Sequence, residues 1–363
     1  MKYYLVVGEA SGDMHAANLI KAIRAKDAQA EFRFLGGDKM QAAAETLASK
    51  HIRELAFMGF LEVIKHLPTI FSNLSLCKKD IRNFNPDAVI LVDYPGFNFR
   101  LFSFLQEHKF KTVYYISPQL WAWKKGRVKQ IKKFVDRLYV ILPFEVSFYE
   151  KNGIKAHYFG HPMLDEIDVN SILRAVRDEK KIAVLPGSRK QEISYLLPEY
   201  LKVAKHFPDY KFKVAALNLN GEKFYHQFAL PENVELVFDK TYEVLQTSSV
   251  GIITSGTATL ETALFGVPQV ICYKGSWISY QIAKRLIKGI DFIGIVNLIA
   301  GKKVVEELIQ DDVNEIRLVS ELKNLLQIET QNRIQNDYEE LYKLLGNSGS
   351  SQRMAEDLIA YLK

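Results

Sequence analysis

"VGIITSGTATLETALFGVPQVICY", residues 250–273, contains a strand, a turn, a helix and a second strand, and it decides the fold. Two apolar runs, 250–254 and 269–273, flank a helical stretch that ends at Gly266. Runs that are apolar on consecutive residues are typical of parallel strands covered on both faces. Two such strands joined by a helix therefore indicate an α/β domain built on a parallel sheet.

The same alternation extends over most of the 363 residues and occurs twice. Stretches such as "DMHAANLIKAIRAK", residues 13–26, have the pattern of amphipathic crossover helices. The strands predicted by this pattern are 3–7, 32–35, 88–92, 112–116 and 138–141 in the first half, and 182–185, 212–216, 234–237, 250–254 and 269–273 in the second. We therefore predict two Rossmann-like domains that face a cleft, with ligands at the carboxyl ends of the strands.

A polar segment separates the two halves. It reads "GHPMLDEIDVNSILRAVRDEK", residues 160–180, and precedes a new strand. We predict a first domain over 1–165, a second over 166–345, and a C-terminal helix over 346–363 that follows the turn "GNSGSS". The C-terminal helices either return to the first domain or exchange between the subunits of a homodimer, and the sequence leaves both arrangements open.

The composition is that of an ordinary globular protein, with 48% hydrophobic and 25% charged residues. The two cysteines, Cys77 and Cys272, form no CxxC pair, which favours neither a disulfide framework nor a zinc site. No window of about 18 residues is free of charge, so no transmembrane helix is predicted. The first residues lack the pattern of a signal peptide, and we expect a cytoplasmic protein.

Two strand-to-helix turns in the second half predict a site for a nucleotide diphosphate. Free N–H groups and the positive end of the helix dipole favour phosphate at such turns. In the first turn Ser255 is expected to cap the helix, Gly256 to allow close approach, and Thr257 to share a helix face with Glu261. In the second, "KIAVLPGSRKQEI" (181–193), the predicted contacts are Gly187, Ser188 and the bidentate donor Arg189.

Asn297 gives a third candidate, as a single amide in the apolar stretch "DFIGIVNLIAG", residues 291–301. Such an amide either binds a ligand or satisfies the backbone of its own loop. The pattern alone favours the loop role.

In the first half, "VVGEASGDMHAANL" (6–19) is not a GxGxxG motif, and its acids oppose phosphate binding. Glu9, Ser11 and Asp13 are better suited to sugar hydroxyls, with helix capping as the alternative. In "AVILVDYPGFNFRL" (88–101), Asp93 directly follows a buried strand. It is a candidate general base, and a turn that closes onto Pro95 is an equal alternative.

Two further segments indicate what kind of surface or macromolecule the protein binds. "WKKGRVKQIKK", residues 123–133, is strongly basic and indicates nucleic acid, anionic lipid or a merely solvated face. The apolar stretch 57–77 belongs mostly to the core, but a minority of its side chains is suited to a membrane surface. Trp121 and Trp123, beside the basic run, favour the membrane interpretation.

Eight motifs in the same order resemble the lipid-A-disaccharide synthase family over nearly the whole chain. They are "VGEASGD" (7–13), "FMGFLEV" (57–63), "SPQLWAWKKGRVKQI" (117–131), "LPFE" (142–145), "GHPM" (160–163), "LPGSR" (185–189), "SGTATLE" (255–261) and "NLIAG" (297–301). The resemblance implies a GT-B fold and transfer of 2,3-diacylglucosamine from UDP to the 6-hydroxyl of 2,3-diacylglucosamine 1-phosphate. It also implies that the configuration at the anomeric carbon is inverted. The protein is expected to associate peripherally with the cytoplasmic face of the inner membrane.

The resemblance also implies roles for single residues. Asp93 matches the proposed base, Arg189 the arginine of the PGSR motif, and Glu261 an acid near the uridine ribose. Asn297 matches a functional asparagine, against the loop role that its pattern favours. Glu9, Ser11, Gly12 and Met58 are expected to contact the acceptor. Many members have a second acid where this chain has Gly96, so the base role concentrates on Asp93.

We expect neither a metal nor another cofactor, because no D-x-D motif occurs in the sequence. Two alternatives to this enzyme remain within the GT-B fold: another UDP-N-acetylglucosamine transferase and a 2-epimerase. A nucleotide-sensing module without catalysis is a third. A nucleic-acid-binding protein is a fourth, but aromatic residues beside the basic run are few and we predict no nucleic-acid partner.

Overall fold

The chain divides into two compact units, each built on its own sheet. The computed structural model describes residues 1–55, 67–121, 125–167, 177–276, 280 and 291–363. Unit 1 comprises residues 1–166 and 345–363, and unit 2 comprises residues 167–344. The motif at 57–63 and the start of the basic run lie outside the described residues.

Unit 1 contains a parallel sheet of seven described strands in the order β3-β2-β1-β4-β5-β6-β7. The strands are β1 (Lys2–Val6), β2 (Glu31–Gly36), β3 (Lys50–His51), β4 (Ala88–Val92), β5 (Lys111–Tyr115), β6 (Arg137–Tyr139) and β7 (Ala156–His157). Its helices are α1 (Ala10–Lys26), α2 (Asp38–Ala44), α3 (Leu67–Phe84), α4 (Pro95–Asn98), α5 (Phe102–Glu107), α6 (Val128–Phe134) and α7 (Pro143–Glu150). Two apolar clusters, one on each face of the sheet, form its core.

Unit 2 contains a parallel sheet of six described strands in the order β10-β9-β8-β11-β12-β13. The strands are β8 (Asp178–Leu185), β9 (Lys211–Ala216), β10 (Val234–Phe238), β11 (Ser248–Thr254), β12 (Gln269–Tyr273) and β13 (Glu307–Ile309). Its helices are α8 (Lys190–Ala204), α9 (Glu222–Tyr225), α10 (Thr241–Thr247), α11 (Thr257–Leu264), α12 (Ile295–Ala300), α13 (Glu315–Leu325) and α14 (Ile328–Leu345).

The last helix, α15 (Ser350–Leu362), packs in unit 1 against α1. Its first turn is capped by Asp165, near the end of the first segment of unit 1. The Asp165 carboxylate accepts the N–H groups of Gly349, Ser350 and Ser351 at 2.6, 3.0 and 2.9 Å. At its other end Asp357 forms an ion pair with Arg137 of β6. Among the described residues, no helix is both long and apolar enough to cross a membrane.

The predicted fold class is confirmed, since all ten predicted strands are present and all described pairings are parallel. The strands that the sequence analysis missed, β3, β7 and β13, have two or three residues each and lie at sheet edges. The helical region between β13 and the final helix consists of two helices, because the chain breaks between α13 and α14.

Candidate active site

Asp93 and Glu9 follow the two strands at which the order of the unit 1 sheet reverses. β1 and β4 are neighbours, with Val6 beside Leu91, although three strands of the sheet precede β4 in the sequence. Open parallel sheets bind ligands at such a switch point, beyond the carboxyl ends of the strands. The topology therefore places both acids where a ligand of unit 1 is expected.

The backbone turns sharply at Asp93. All five residues of β4 are buried, and the turn begins directly after the carboxyl end of this strand. Asp93 and Tyr94 both have φ of 44°, a left-handed region that non-glycine residues seldom occupy. The Asp93 N–H still donates to the Tyr115 carbonyl at 3.0 Å. The side chain is partly buried at the end of the sheet.

The Asp93 carboxyl titrates far above its usual range. Burial raises its pKa from the ordinary value of 3.8 to about 7. The negative charge of Glu9 is part of this rise in pKa, whereas a hydrogen bond from the Tyr94 N–H opposes it. A carboxyl with a pKa near 7 is ionised in a large fraction of molecules at neutral pH and holds a proton well, which suits a general base.

Gly8 is needed because an aromatic ring occupies the space of its missing side chain. A Cβ atom at Gly8 would lie 2.4 Å from Cγ of Tyr94. The Tyr94 hydroxyl donates to the Leu55 carbonyl at 3.0 Å, which fixes the ring in this place. The loop after β1 and the turn after β4 are thus packed against each other.

Of the four residues predicted to bind the acceptor, two lie beside the Asp93 turn with partly exposed side chains. Glu9 is the N-cap residue of α1, and both Glu9 and Ser11 are partly buried beside the Asp93 turn. Gly12 is buried, and a Cβ there would lie 3.0 Å from Cγ1 of Val7, so its lack of a side chain serves packing in this structure, and its contact with the acceptor stays a prediction. Met58 lies outside the described residues.

The Asp13 carboxylate is occupied by backbone N–H groups, which opposes the interpretation of its motif as a site for sugar hydroxyls. Its buried carboxylate accepts the N–H groups of Gly37, Lys39 and Met40 at 2.7, 3.0 and 3.2 Å. These N–H groups belong to the N-terminus of α2, which has no side-chain cap of its own. The capping alternative was therefore correct, but Asp13 caps a neighbouring helix instead of its own.

The sequence analysis missed a second perturbed acid, Glu145. It is 1% exposed and accepts hydrogen bonds from the Leu142 N–H at 3.0 Å and from Nε1 of Trp121 at 3.3 Å. Burial raises its pKa to about 8, and the Asp93 charge contributes to the rise. The motif "LPFE" has the pattern of a helix start, with Pro143 at the first position and Glu145 at the third. Nothing in that pattern indicates an electrostatic neighbour of Asp93.

In unit 2 the switch point lies between β8 and β11, where Leu185 pairs with Ile253. The PGSR turn follows β8, and Gly187 has φ of 105°. Arg189 is 54% exposed, and its guanidinium pairs with the Glu192 carboxylate at 2.9 Å. The carbonyl of Ser188 accepts from the Asn220 amide at 3.1 Å. The predicted cation is thus accessible at the expected edge, beside an acid that competes for it.

The SGT turn follows β11 at the same edge of the sheet. Ser255 is not the helix cap that the sequence predicted, because Gly256 is the N-cap residue and the Ser255 Oγ lies 3.5 Å from the Ile293 carbonyl. Gly256 and Thr257 are exposed, and Glu261 is partly buried one turn further on. An open helix start with an exposed hydroxyl and a nearby carboxylate matches the requirements of a diphosphate and a ribose.

Asn297 is completely buried, which opposes a direct ligand contact of its side chain. Its amide donates to the Val305 carbonyl at 2.9 Å and to the Glu307 carboxylate at 2.7 Å. Its carbonyl oxygen accepts the N–H groups of Val304 and Val305 at 2.8 and 3.1 Å. The loop role that the pattern favoured is the one observed.

Glu307, which the sequence analysis missed, supports the same loop. Its carboxylate accepts the N–H groups of Ile293 and Gly294 at 2.8 and 3.0 Å. These N–H groups open the helix α12, so Glu307 caps it from β13 and holds the segment whose Ile293 carbonyl approaches Ser255. Among the described residues, Asn297 and Glu307 thus influence the SGT turn through this loop.

Comparison with known proteins gives one consistent result. A family model described as lipid-A-disaccharide synthetase matches residues 3–360. The lipid-A-disaccharide synthase of Geobacter sulfurreducens is 38% identical over 370 residues, covering 97% of this chain and 94% of that protein. That of Trichlorobacter lovleyi is 37% identical over 372 residues, covering 97% and 95%.

Solved structures with much lower identity share the fold. A UDP-GlcNAc 2-epimerase from Neisseria meningitidis bound to UDP-GlcNAc superposes with a TM-score of 0.66 at 14% identity, covering 99% of this chain and all of that one. The glycosyltransferase of kitacinnamycin superposes with a TM-score of 0.63 at 14% identity, covering 99% and 98%. At this level of identity the likeness concerns the GT-B architecture alone.

Proposed function

The chain belongs to the lipid-A-disaccharide synthase family of glycosyltransferases, and we propose that it transfers 2,3-diacylglucosamine from UDP to the 6-hydroxyl of 2,3-diacylglucosamine 1-phosphate. The products are a β-1′,6-linked disaccharide 1-phosphate and UDP. The observation that carries the mechanism is the Asp93 carboxyl, which lies at the switch point of unit 1 and has a pKa raised to about 7.

Asp93 acts as the general base in this scheme. The acceptor 6-oxygen forms a bond to the anomeric carbon while its proton passes to the Asp93 carboxylate. The bond from that carbon to the UDP oxygen breaks, and UDP leaves with the electron pair. Attack from the face opposite to UDP inverts the anomeric configuration. Proton removal by a positioned base accelerates such a step by ~10²–10⁴-fold.

Unit 2 supplies the donor contacts. Gly187, Ser188 and Arg189 bind the diphosphate from one turn. Ser255, Gly256 and Thr257 bind it from the other turn, with Glu261 on the ribose hydroxyls. The support for this assignment is the exposed Arg189 guanidinium and the open N-terminus of α11 at one switch point. Arg189 stabilises the negative charge that develops on UDP, as fixed cations do for departing diphosphates.

Glu9 and Ser11 bind the acceptor beside the base. Both lie in the loop and first turn after β1, and the Glu9 charge acts on the Asp93 carboxyl. Gly12 has no direct part in this proposal, since its buried position serves packing. The repulsion between the Glu9 and Asp93 carboxylates is relieved when one of them holds a proton.

We also propose that unit 1 binds an anionic membrane surface through α3. The helix buries Leu74, Cys77 and Ile81, yet Phe71 is 57% and Leu76 41% exposed. Cations lie near aromatic rings on and beside the helix: Arg100 lies 5.5 Å from the Phe71 ring centroid, and Lys78 and Arg82 lie 5.6 and 5.7 Å from that of Phe104. Exposed apolar side chains bordered by cations are typical of peripheral membrane binding.

Sedimentation with vesicles tests the membrane proposal. The protein should bind vesicles that contain anionic lipid more strongly than neutral ones, and Phe71→Ser should weaken this binding. Leu47→Ser is the matched control, since Leu47 is 80% exposed but lies outside α3. Equal loss in both variants, or equal binding to neutral vesicles, would refute the assignment to α3.

The reaction is tested with purified protein, both lipid substrates and excess chelator, and the products are read by lipid mass spectrometry. The disaccharide 1-phosphate should form only when both substrates are present and should persist in chelator. Abolition that Mg²⁺ restores would overturn the expected metal independence. Turnover of UDP-N-acetylglucosamine without an acylated acceptor, and no disaccharide, would favour a 2-epimerase or another UDP-N-acetylglucosamine transferase instead.

A further inference from the structure

The turn that carries Asp93 is strained, and buried side chains hold its backbone in place through hydrogen bonds. Two consecutive residues without glycine's freedom, Asp93 and Tyr94, have left-handed φ angles. Such conformations persist only where the surrounding structure imposes them, and they concentrate at functional sites. The side chains that impose the conformation here are therefore of functional interest.

Two donors fill the acceptor positions of one carbonyl oxygen. The main-chain oxygen of Asp93 accepts the Tyr114 hydroxyl at 2.6 Å and the Asn98 amide at 2.7 Å. A carbonyl oxygen has two lone pairs, so its capacity is used. Because this carbonyl belongs to the peptide between Asp93 and Tyr94, the two bonds fix the plane of the strained peptide.

Both donors are rigidly placed. Tyr114 and Asn98 are completely buried, in β5 and at the end of α4. The Oδ1 atom of Asn98 is buried without a hydrogen-bond partner among the described residues, while its amide nitrogen donates to the Asp93 carbonyl. The same nitrogen also lies 3.4 Å from the Val92 carbonyl, a longer contact. A core position that leaves the amide oxygen unsatisfied and keeps the amide nitrogen bonded indicates that the donor is what the position requires.

The other side of the turn is equally constrained. The Tyr94 ring covers Gly8 and stacks on Phe97 with centroids 5.3 Å apart, and its hydroxyl bonds to the Leu55 carbonyl. Rotation of the peptide after Asp93 is thus opposed by the packing of the Tyr94 ring and by the hydrogen bonds from Tyr114 and Asn98. Removal of either hydrogen-bond donor weakens the forces that hold the strained conformation.

We infer that Tyr114 and Asn98 are positioning residues for the base, which act by holding the Asp93 main chain in the conformation that presents its carboxyl to the acceptor hydroxyl. The inference rests on the proposed role of Asp93. Neither residue touches a substrate in this scheme. Both act on the rate only through the geometry of Asp93.

Tyr114→Phe removes one donor and keeps the ring. Its kcat should fall about tenfold to 100-fold, because a displacement of about 1 Å in a catalytic group costs rate on this scale. The KM for both substrates should stay nearly unchanged, since the donor and acceptor contacts remain.

The pH dependence of kcat distinguishes a positioning role from a merely structural one, because a loss of folding stability alone does not shift it. When the turn relaxes, the Asp93 carboxyl gains solvent, and the ascending limb of the pH–kcat profile should shift to lower pH. The ionisable groups whose charge interacts with Asp93 or with its carbonyl donor Tyr114 are Glu9, Glu145, Tyr149 and Arg127, and all are unchanged in the variant.

Tyr4→Phe is the matched control. Tyr4 is completely buried in the same core cluster, and its hydroxyl donates to the Asp80 carboxylate at 2.8 Å. This variant should lose similar stability with normal kcat and an unshifted profile. If Tyr114→Phe does not fold, Asn98→Ala provides the same test with smaller change to the aromatic core.

The outcomes separate the inference from the proposed function. Loss of kcat with a shifted profile in Tyr114→Phe or Asn98→Ala, and not in Tyr4→Phe, supports the positioning role. Normal kcat in both folded variants, together with a large loss in Asp93→Asn, overturns the positioning role and keeps the base. Full activity in Asp93→Asn overturns the base and with it this inference.

Discussion

Replacement of Asp93 by asparagine should remove activity and add stability, because the same burial causes both effects. Asparagine has nearly the shape of aspartate but cannot accept the proton of the acceptor hydroxyl. We expect kcat to fall by ~10²–10⁴-fold. Folding should become more favourable above neutral pH, since the variant places no charge in the partly buried position.

The magnitude follows from the pKa of the carboxyl. The folded protein raises this pKa from 3.8 to about 7. Each pKa unit corresponds to about 1.4 kcal/mol, which gives a cost of at most about 4 kcal/mol for ionised Asp93 in the folded state. Because the side chain is only partly buried and its surroundings relax, we expect a measured gain between about 1 and 4 kcal/mol.

The sign depends on pH. A raised pKa means that the folded state binds the proton more tightly than the unfolded state, so this group favours folding at low pH. That contribution is lost as the pH rises from about 4 through about 7. The stability of Asp93→Asn relative to the natural protein should therefore increase over this window and remain constant above it.

Urea unfolding of both proteins at pH 5, 6, 7 and 8 measures the effect, with turnover measured in the same preparations. Asp209→Asn, at an exposed position of unit 2, is the control and should change stability by less than about 0.5 kcal/mol. A variant of Asp93 that is inactive but gains no stability at pH 8 would refute the burial of the charge. A variant that gains stability and keeps its rate would refute the base.

Three other substitutions test the site. Glu9→Gln removes the second cause of the raised Asp93 pKa, so the ascending limb of the pH–rate profile should move to lower pH by less than about one unit, and an unmoved limb would contradict the coupling. Glu192→Gln frees Arg189 from its ion pair and should tighten UDP binding by about two- to fivefold in calorimetry; weaker binding would show that Glu192 itself is needed. Asn297→Ala breaks four buried hydrogen bonds and should destabilise unit 2 by about 2–4 kcal/mol in thermal unfolding. A fully stable variant that had lost UDP binding would restore Asn297 as a ligand contact.

The sequence predicts the sheets well because their signal is local. Runs such as AVILV at 88–92 are apolar on every residue, and parallel strands covered on both faces require that pattern. The edge strands escaped prediction because two or three residues are too few to show any period. The break between α13 and α14 carries neither glycine nor proline, so the sequence offers no stop signal there.

The candidate site is harder to predict because the role of a polar side chain depends on distant partners. Asp13 and Asn297 have the right chemistry for a ligand, yet both are occupied by backbone groups of other segments. Glu145 affects Asp93 from a helix more than 40 residues away along the chain. The sequence shows which residues are able to do chemistry, and only the fold shows which are still free to do it.

Direct displacement by the acceptor hydroxyl is tested most directly by the configuration of the new glycosidic bond. The disaccharide made by the purified protein would be isolated and its anomeric proton and carbon assigned by NMR. A β-1′,6 linkage as the sole product, formed with inversion of the donor, is the expected result. An α linkage would contradict direct displacement with Asp93 as the single base, and attachment at a hydroxyl other than the 6-hydroxyl would contradict the proposed acceptor position.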